Sequence, residues 1–288
     1  MLILNMNLQN YEFKEKDILL SIITTVLNGD RFIEDCIQNV IEQGFAHIEH
    51  IIIDGGSTDK TVDIIKSYAE KYAHIRWISE KDKGQSNAMN KGIQMAAGSI
   101  LGFLNVDDYY EPGALCEAFD LIKNLPEPSL LVGNCKVWDK EHKLWFVSMP
   151  KMINLRNLLL ERYAESFPVN PSAYFYHKSL HQCIGMYEED EHYGMDLHFI
   201  FKSVQKANVI YIDRIWGNYR YFEGTKTYED NKSGCNLIRV KGINQFYLKQ
   251  QPLHYRLYLV FIKAWGQVIK RIHNVIKGCH NFIMYLII

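Results

Sequence analysis

The sequence predicts an α/β protein with a central, mostly parallel sheet. Short apolar runs recur along the first hundred residues, and the stretches between them carry apolar residues at helical spacing. Turn-forming residues, chiefly Asn, Gly and Asp, follow these runs. Because strands that alternate with helices are joined by right-handed crossovers, we expect helices to cover both faces of the sheet.

The predicted elements alternate regularly in the first half of the chain. They are a strand at Ile18–Thr24, a helix at Phe32–Gln43, a strand at Ile48–Ile53, a helix at Asp59–Tyr72, a strand at Ile75–Ser79, a helix at Ser86–Ala97 and a strand at Ile100–Leu104. In the second half we predict a hairpin from Leu130–Val137 and Lys143–Val147, a helix at Leu155–Tyr163, a strand after Asn170 and a helix at Leu197–Val204.

The composition is that of a soluble, folded protein. The 288 residues are 48% hydrophobic and 23% charged, which does not favour disorder. Six cysteines are scattered without Cys-x-x-Cys spacing, so neither a zinc site nor a disulfide framework is expected, and a reducing cytosolic compartment is favoured. Residues 1–17 lack the features of a signal peptide and are interpreted as a variable leader.

The charge is distributed unevenly along the chain. No acidic residue follows Asp230, whereas nine basic residues do, so residues 1–230 carry −10 and the rest +9. After Pro252, apolar residues follow helical spacing while Arg256, Lys263, Lys270 and Lys277 fall on another face. We therefore predict that the tail, residues 230–288, is a cationic amphipathic helix on an anionic membrane surface, without spanning the bilayer. A helix docked on the rest of the protein is the alternative, and nucleic acid is not expected as a partner.

Polar residues follow each predicted parallel strand of the first half. Asn28, Asp54, Asp82 and the pair Asp107 and Asp108 all fall at strand carboxyl ends, where such sheets bind ligands. Adjacent carboxylates repel each other and resist burial, which a bound cation would relieve, and oxygen ligands favour Mg²⁺ or Mn²⁺. The alternative is that the pair caps the next helix, with Pro112 in its first turn. The convergence of four loops favours the metal site.

Four ordered motifs over roughly ninety residues resemble those of family 2 glycosyltransferases of the GT-A fold, of the type that makes bacterial surface polysaccharides. They are Ser21-Ile22-Ile23-Thr24 with Asn28-Gly29, the stretch Ile51–Thr61, the stretch Ile78–Gly92, and Leu104-Asn105-Val106-Asp107-Asp108. The resemblance continues more weakly to about residue 227. It implies a catalytic domain at 18–229, with a Rossmann-like nucleotide-sugar half at 18–112, an acceptor half at 113–229 and the membrane-associating tail after it.

The resemblance also implies a site at the edge of the sheet for a nucleotide sugar, with a UDP-sugar preferred. The implied nucleotide-binding residues are Thr24, Asn28, Asp54, Asp82, Gly84 and Asp107, and Asp54 corresponds to the aspartate that recognises the base. Asp107 and Asp108 would hold Mn²⁺ or Mg²⁺, with direct coordination assigned to Asp108. Arg220 and Lys226 lie in a stretch similar to the family's Arg-x-His-x-x-Ser-Lys-Thr loop and would contact the diphosphate or the acceptor.

Asp196 is the predicted general base, because Met195-Asp196-Leu197 stands before a helix where the family carries its catalytic aspartate. One carboxylate that accepts the proton of the acceptor hydroxyl, opposite the leaving diphosphate, implies direct displacement with inversion at the anomeric carbon. The expected acceptor is a glycan, or a sugar linked to prenyl diphosphate, used in surface polysaccharide synthesis. The expected location is the cytoplasmic face of the inner membrane, where the protein would be peripheral.

Several positions depart from the family pattern. Thr25-Val26-Leu27 replaces Pro-x-Tyr, Asn87 and Asn105 stand where Asp is common, and Phe222 replaces His. These departures keep open a catalytically degenerate, membrane-bound assembly partner. A sugar-nucleotide pyrophosphorylase shares the architecture, but the Gly-rich basic signature that it would need near the N-terminus is absent from Leu19–Arg31.

Five aromatic residues of the second half could stack on sugar rings, although aromatic residues at such spacings more often belong to a core. They are Trp138, Trp145, Tyr174, Tyr193 and Trp216.

Overall fold

The computed structural model describes residues 19–266 and residue 268. The predicted leader at 1–17 lies outside the described residues. So does most of the last part of the predicted tail, including Lys270, Lys277 and the apolar end Phe282–Ile288.

Nine strands and eleven helices make up the described chain. The strands are β1 Leu20–Val26, β2 Ile48–Asp54, β3 Ile75–Ser79, β4 Ile100–Phe103, β5 Tyr109–Tyr110, β6 Ser129–Trp138, β7 Leu144–Ser148, β8 Tyr174–His177 and β9 Asn208–Arg220. The helices are α1 Ile33–Glu42, α2 Thr61–Ala69, α3 Gln85–Met95, α4 Ala114–Ile122, α5 Leu155–Leu159, α6 Tyr163–Ser166, α7 Leu180–Ile184, α8 Met195–Lys206, α9 Lys226–Ser233, α10 Cys235–Lys249 and α11 253–266. A 3₁₀ turn at Pro171–Ala173 precedes β8.

The strands form one sheet in the order β3-β2-β1-β4-β8-β6-β9-β5, and β7 pairs with β6. β1 is parallel to β2 and β4, β2 to β3, and β6 to β9. β8 is antiparallel to both β4 and β6, so β6 and β9 run in the same direction as β1–β4. The prediction of a mixed, mostly parallel sheet is therefore confirmed. The carboxyl ends of six strands meet at one edge of the sheet, which we call the rim.

Helices pack on both faces of the sheet, as expected from the alternation of elements. One face buries Ile23, Ile51 and Leu101 together with residues of α3 and α8, and the other buries side chains of α1 and α4. Gly92 of α3 lies so close to β1 that an added Cβ would come within 2.4 Å of Ile23 Cγ2. Because residue 92 has no side chain, α3 can pack close to the sheet. This close packing helps to place the N-terminus of α3 at the rim.

The second half differs from the prediction in two places. The helix expected at Leu155–Tyr163 is divided into α5 and α6, and Glu161 between them has a positive φ of 60°. The 13-residue strand β9 was not predicted. It ends at Arg220, so it includes the start of the stretch with Arg220 and Lys226 that resembles a loop of the family.

The C-terminal helices α10 and α11 dock on the rest of the described chain. The rings of Tyr247 and Phe201 stack with centroids 4.4 Å apart, Leu259 is buried, and Lys263 Nζ lies 3.0 Å from Glu161 Oε1. The opposite face of α11 exposes a stripe of large apolar side chains: Leu253, Leu257, Val260, Phe261 and Trp265. The described part of α11 is thus both docked and amphipathic. Within the described residues, no helix is long and apolar enough to cross a membrane.

Candidate active site

The loops after β1 and β2 are tied together at the rim. Asn28 has a positive φ of 50°, and its Oδ1 accepts a hydrogen bond from Thr58 N at 2.9 Å. Its backbone N donates to Ser57 Oγ at 2.7 Å, and Gly29 N donates to Thr61 Oγ1 at 2.9 Å. These contacts fix two of the predicted nucleotide-binding loops relative to each other.

Asp54 ends β2 at the rim and organises the turn that follows. Its carboxylate is buried and accepts hydrogen bonds from Gly56 N and Ser57 N, both at 3.0 Å, and from Ser79 Oγ at 2.6 Å. The hydroxyl of Ser57 also donates to it. Both oxygens are therefore engaged within the fold, and recognition of the base by Asp54 stays a prediction.

Asp82 and Gly84 bring the loop after β3 to the same place. Asp82 Oδ1 accepts from Gly84 N at 2.8 Å, and an added Cβ on Gly55 would lie 2.6 Å from Asp82 Oδ2. The Asp82 carboxylate therefore lies against the backbone of the turn after β2. Gly84 has a φ of +121° at the start of α3, a conformation that favours glycine.

Thr24 is the one predicted nucleotide-binding residue whose side chain does not reach the rim. It is fully buried within β1, and its hydroxyl lies 2.9 Å from His50 Nε2. Since Thr24 is two residues before the end of the strand, its side chain points into the packed layer beside the sheet. This geometry does not support contact between Thr24 and a nucleotide.

The two carboxylates after β4 have different surroundings. Asp108 is buried, and its Oδ2 accepts from Asn105 Nδ2 at 2.9 Å and from Asn170 Nδ2 at 2.7 Å. Its Oδ1 accepts from Arg220 N at 3.0 Å, which ties the acidic pair to the end of β9. Asp107 is half-buried and is the more accessible of the two. Neither residue caps the next helix, because α4 begins at Ala114 with Gly113 as its N-cap.

The acidic pair is electrostatically unfavourable without a counter-charge. Burial, and then the charge of Asp107, raise the pKa of Asp108 well above the usual aspartate range. Burial also raises the pKa of Asp107, while the nearby Arg220 guanidinium opposes that increase. Arg220 itself lies over the ring of Tyr109, 5.0 Å from its centroid. A divalent cation beside Asp107 would stabilise the ionised pair.

The donor set fits Mg²⁺ or Mn²⁺ held partly by a substrate. Within residues 19–266 no three His, Cys, Asp or Glu side chains form a metal-binding cluster. Mg²⁺ is usually bound by one or two carboxylates, several waters and substrate phosphates, so a complete protein cage is not required. Asp107 offers an accessible carboxylate, whereas Asp108 already accepts three hydrogen bonds. The geometry therefore favours Asp107 over Asp108 as the direct ligand, and the assignment to Asp108 stays a prediction.

Asp196 lies in the first turn of α8, where the helix dipole favours a negative charge. It is half-buried, and no group among the described residues donates a hydrogen bond to its carboxylate. Burial raises the pKa of Asp196 to about 6, while the positive charge of Lys226 lowers it. A carboxylate with this pKa, free of hydrogen-bond partners, is suited to accept a proton near neutral pH.

The stretch 220–226 connects the acidic pair, the rim and the base. Arg220 N is bound to Asp108, the Phe222 ring packs on Phe32 with centroids 5.5 Å apart, and Lys226 Nζ lies 3.2 Å from Gln85 Oε1. Phe32 follows β1 and Gln85 begins α3, so the stretch contacts both sides of the rim. Lys226, at the end of this stretch, also lies close enough to Asp196 for its charge to lower the pKa of that carboxylate.

The departures from the family pattern are accommodated by this structure. Asn105 donates to Asp108, where an aspartate would add a third negative charge. Asn87 Nδ2 donates to Glu189 Oε1 at 2.8 Å, and Phe222 replaces a polar contact by packing on Phe32.

Asn170 and Arg239 were not predicted as site residues, and Tyr193 was named only as a ring that could stack on a sugar. Asn170 supports Asp108 from 62 positions away, and Tyr193 holds two cations over its ring, Lys226 at 4.7 Å and Arg239 at 4.5 Å from the centroid. The dipeptide Asn170-Pro171 is typical of a turn. Nothing near it in the sequence indicated that Asn170 would contact Asp108. Arg239 was interpreted only as part of the basic tail.

The rate of the chemical step should depend on pH through Asp196. Since a base acts only when deprotonated, we expect kcat/KM to fall about tenfold per pH unit below an apparent pKa of about 6. Because the charge of Lys226 lowers this pKa, Lys226→Met should shift the acidic limb to higher pH. Initial-rate profiles between pH 4.5 and 8.5 measure both values.

The matched control is Lys232→Met, which removes an exposed lysine of the same helix that pairs with Glu223 at 3.2 Å. It should leave the acidic limb in place. An acidic limb near pH 4 in the unmodified protein would show that the titrating base is not the half-buried Asp196.

This chain is similar in sequence to proteins of one known family. The model of the family "Glycosyl transferase family 2" matches residues 21–184. The uncharacterized glycosyltransferase YibD of Escherichia coli is 39% identical over 93 residues, which cover 32% of this chain and 27% of that protein. A PGL/p-HBAD biosynthesis glycosyltransferase of Mycobacterium tuberculosis is 28% identical over 261 residues, which cover 88% of this chain and 93% of the relative.

Solved structures share the fold at low sequence identity. S. aureus TarS 1-349 in complex with UDP-GlcNAc has a TM-score of 0.61 at 18% identity, over 84% of this chain and 69% of that one. The mannosyltransferase PcManGT from Pyrobaculum calidifontis, in complex with GDP-Man and Mn²⁺, has a TM-score of 0.51 at 17% identity, over 73% and 58% of the two chains.

Proposed function

The chain belongs to glycosyl transferase family 2, and from this premise we propose that it transfers a sugar from a nucleotide sugar to a hydroxyl of a glycan acceptor, with inversion at the anomeric carbon. The observation that supports this proposal is that stretch 220–226 lies next to both predicted catalytic groups. Arg220 N is bound to Asp108 of the acidic pair, and the charge of Lys226 acts on Asp196. The accessible carboxylate of Asp107 lies at the rim, and Asp196, free of hydrogen bonds from the described residues, lies near Lys226.

A UDP-sugar is the preferred donor. The rim presents three loops, after β1, β2 and β3, that are fixed to one another by Asn28, Asp54 and Asp82. Solved structures with this fold carry UDP-GlcNAc in TarS and GDP-Man in PcManGT. These complexes support a nucleoside diphosphate sugar at the same edge of the sheet in this chain.

Mn²⁺ or Mg²⁺ would be held at Asp107, and when bound it would neutralise charge that develops on the departing diphosphate. Asp108 orients this region, because its oxygens link Asn105, Asn170 and Arg220 N. The guanidinium of Arg220 adds a fixed positive charge near Asp107. Together these residues would bind the diphosphate and place the anomeric carbon between the rim and Asp196.

Asp196 would act as the base of a single displacement. As the acceptor oxygen forms its bond to the anomeric carbon, its proton passes to an Asp196 oxygen. The bond between that carbon and the diphosphate breaks on the opposite side, and its electron pair leaves with the nucleotide. Lys226 supports the reaction by lowering the pKa of Asp196, which keeps more of the base ionised at neutral pH.

The acceptor is proposed to be linked to a membrane lipid, as prenyl-diphosphate sugars are, for synthesis of a surface polysaccharide such as O-antigen or capsule. The support is the exposed apolar stripe of α11 and the excess of basic residues in the tail. The protein would then work as a peripheral enzyme at the cytoplasmic face of the inner membrane, where anionic lipids attract the tail.

Because α11 exposes an apolar stripe, we expect substitutions in this stripe to weaken binding to a membrane. Replacing both Leu257 and Phe261 by serine should reduce binding to phosphatidylglycerol-rich vesicles about a hundredfold, because two apolar side chains would no longer be buried in the lipid interface. Co-sedimentation measures this binding. Leu121→Ser, on the exposed side of α4, is the control and should bind as the unmodified protein does. Unchanged binding of the double variant would contradict membrane attachment through α11.

A donor screen tests the proposed function. The full-length protein is incubated with Mn²⁺, a prenyl-diphosphate-linked sugar and each of a panel of UDP-, GDP- and dTDP-sugars, and nucleotide release is measured. We expect release of nucleoside diphosphate from one donor, dependent on both metal and acceptor. No release from any donor, together with no Mn²⁺-dependent UDP binding by calorimetry, would favour the degenerate assembly partner instead.

A further inference from the structure

Three aromatic rings, one exposed and two half-buried, lie next to one another beside the rim. Trp145 of β7 is 60% exposed, and its ring centroid lies 5.7 Å from that of Tyr221 at an interplanar angle of 37°. Tyr228 of α9 also lies beside Tyr221, with centroids 5.3 Å apart. We call these three rings the aromatic platform. It brings β7 next to the segment that follows β9 and to α9, both of which are far from β7 in sequence.

The platform is continuous with the candidate active site. Tyr221 N donates to Trp138 O at 2.9 Å, and the preceding residue, Arg220, donates its N–H to Asp108 at 3.0 Å. α9, which carries Tyr228, begins at Lys226, the cation that acts on Asp196. The platform therefore adjoins both the acidic pair and the base, on the acceptor half of the chain.

The charged residues around the aromatic platform indicate which kind of ligand it would bind. The turn before β7 is charged, and Lys143 Nζ pairs with Glu141 Oε2 at 2.8 Å. A small group of aromatic rings bordered by exposed charges is poorly suited to a lipid bilayer, which requires a broad apolar face. A pyranose ring has an apolar C–H face of similar size, which can cover an aromatic ring, and hydroxyl groups at its edge, which can remain hydrated or bind charged neighbours.

We propose that the aromatic platform is an acceptor subsite that stacks a sugar ring of the acceptor glycan. This inference rests on the proposed function and makes it more specific, because a stacking subsite outside the reaction centre selects an acceptor that already carries at least one sugar ring. Trp145 supplies most of the exposed ring surface, and Tyr221 sets its orientation. A lipid diphosphate without sugar would leave the platform uncovered.

The test compares two exposed tryptophans, Trp145→Ala on the platform and Trp265→Ala on α11, where Trp265 is 56% exposed. With the donor found in the screen, initial rates are measured against a soluble saccharide acceptor. We expect Trp145→Ala to raise the acceptor KM about tenfold while changing the donor KM less than twofold, because only the stacking contact is lost. Trp265→Ala should keep the acceptor KM and instead weaken vesicle binding. Thermal unfolding checks that both variants are folded.

A binding measurement separates this inference from the proposed function. Saturation-transfer NMR is recorded with a mixture of linear tetrasaccharides of β-linked GlcNAc, β-linked glucose and α-linked mannose. Saccharide signals that are present in the unmodified protein and lost in Trp145→Ala support the platform, even if no donor is turned over. No signal from any saccharide, or equal signals in both proteins, would overturn it. A dimer in solution that Trp145→Ala dissociates would assign the surface to a second copy of the chain and would also overturn it.

Discussion

Replacing Asp196 by asparagine is expected to lower the rate of sugar transfer about 10²–10⁴-fold, the usual contribution of a positioned general base. The amide cannot accept the proton of the acceptor hydroxyl, but it keeps the size of the carboxylate. Binding of the donor should change little, because the loops that would hold the nucleotide follow β1, β2 and β3, whereas Asp196 lies in α8. Single-turnover rates and calorimetry with UDP and Mn²⁺ measure the two effects.

Asp190→Asn is the matched control for this experiment. Asp190 is exposed in the acidic loop before α8, so its loss removes the same charge from the same region. It should change the transfer rate less than twofold. If Asp196→Asn kept near-normal transfer, the base would have to be another residue.

The second large effect is expected from Asp107→Asn. Loss of the accessible carboxylate at the rim should weaken metal-dependent binding of the donor and lower transfer about 10³-fold, because stabilisation of the leaving diphosphate by the cation accounts for several kcal/mol. The measurement is transfer as a function of Mn²⁺ concentration. Asp120→Asn, an exposed aspartate of α4, is the control and should respond to Mn²⁺ as the unmodified protein does.

Asp108→Asn decides between the two assignments of the metal ligand. If Asp107 is the direct ligand, Asp108→Asn should weaken the response to Mn²⁺ only 10–100-fold, the usual effect of a residue that orients a ligand. A larger loss in Asp108→Asn than in Asp107→Asn would restore the assignment made from the family resemblance.

The first half of the fold, from β1 to β4, could be predicted from sequence because its signals are local. Each strand from β1 to β4 is short and largely apolar, turn-forming residues stand at or shortly after its end, and each helix between these strands has one apolar face. The boundaries of β3, Ile75–Ser79, were predicted without error. Parallel strands also place their carboxyl ends on one edge, so the meeting of Asn28, Asp54, Asp82 and Asp107 could be inferred without coordinates.

The second half of the fold was less predictable because its structure depends on contacts between residues that are distant in sequence. β9 contains Asp213 and Arg214 within its span, and its register against β6 shifts twice, between Val132 and Asn134 and between Asn134 and Cys135. A strand with such irregularities shows no regular alternation of apolar and polar residues. Its pairing with β6 and β5 stabilises it, and that pairing brings Arg220 to Asp108.

The orientation of individual side chains at the site could not be predicted. Asp107 and Asp108 are neighbours in a bend, and only the hydrogen bonds from Asn105, Asn170 and Arg220 determine which of them faces inward. Nothing in the sequence around Trp145 indicated whether its side chain would be exposed or buried. Its exposure follows from the position of β7, which among the strands of residues 19–266 pairs only with β6.

Proton NMR of the purified product tests the central claim, that one carboxylate base directs a single displacement, most directly. The product is made from a donor of known anomeric configuration, and the H1–H2 coupling constant of the transferred sugar is measured. We predict a new glycosidic bond with the configuration opposite to that of the donor. A product that retains the donor's configuration would require a nucleophile on the donor side and would contradict the account given for Asp196.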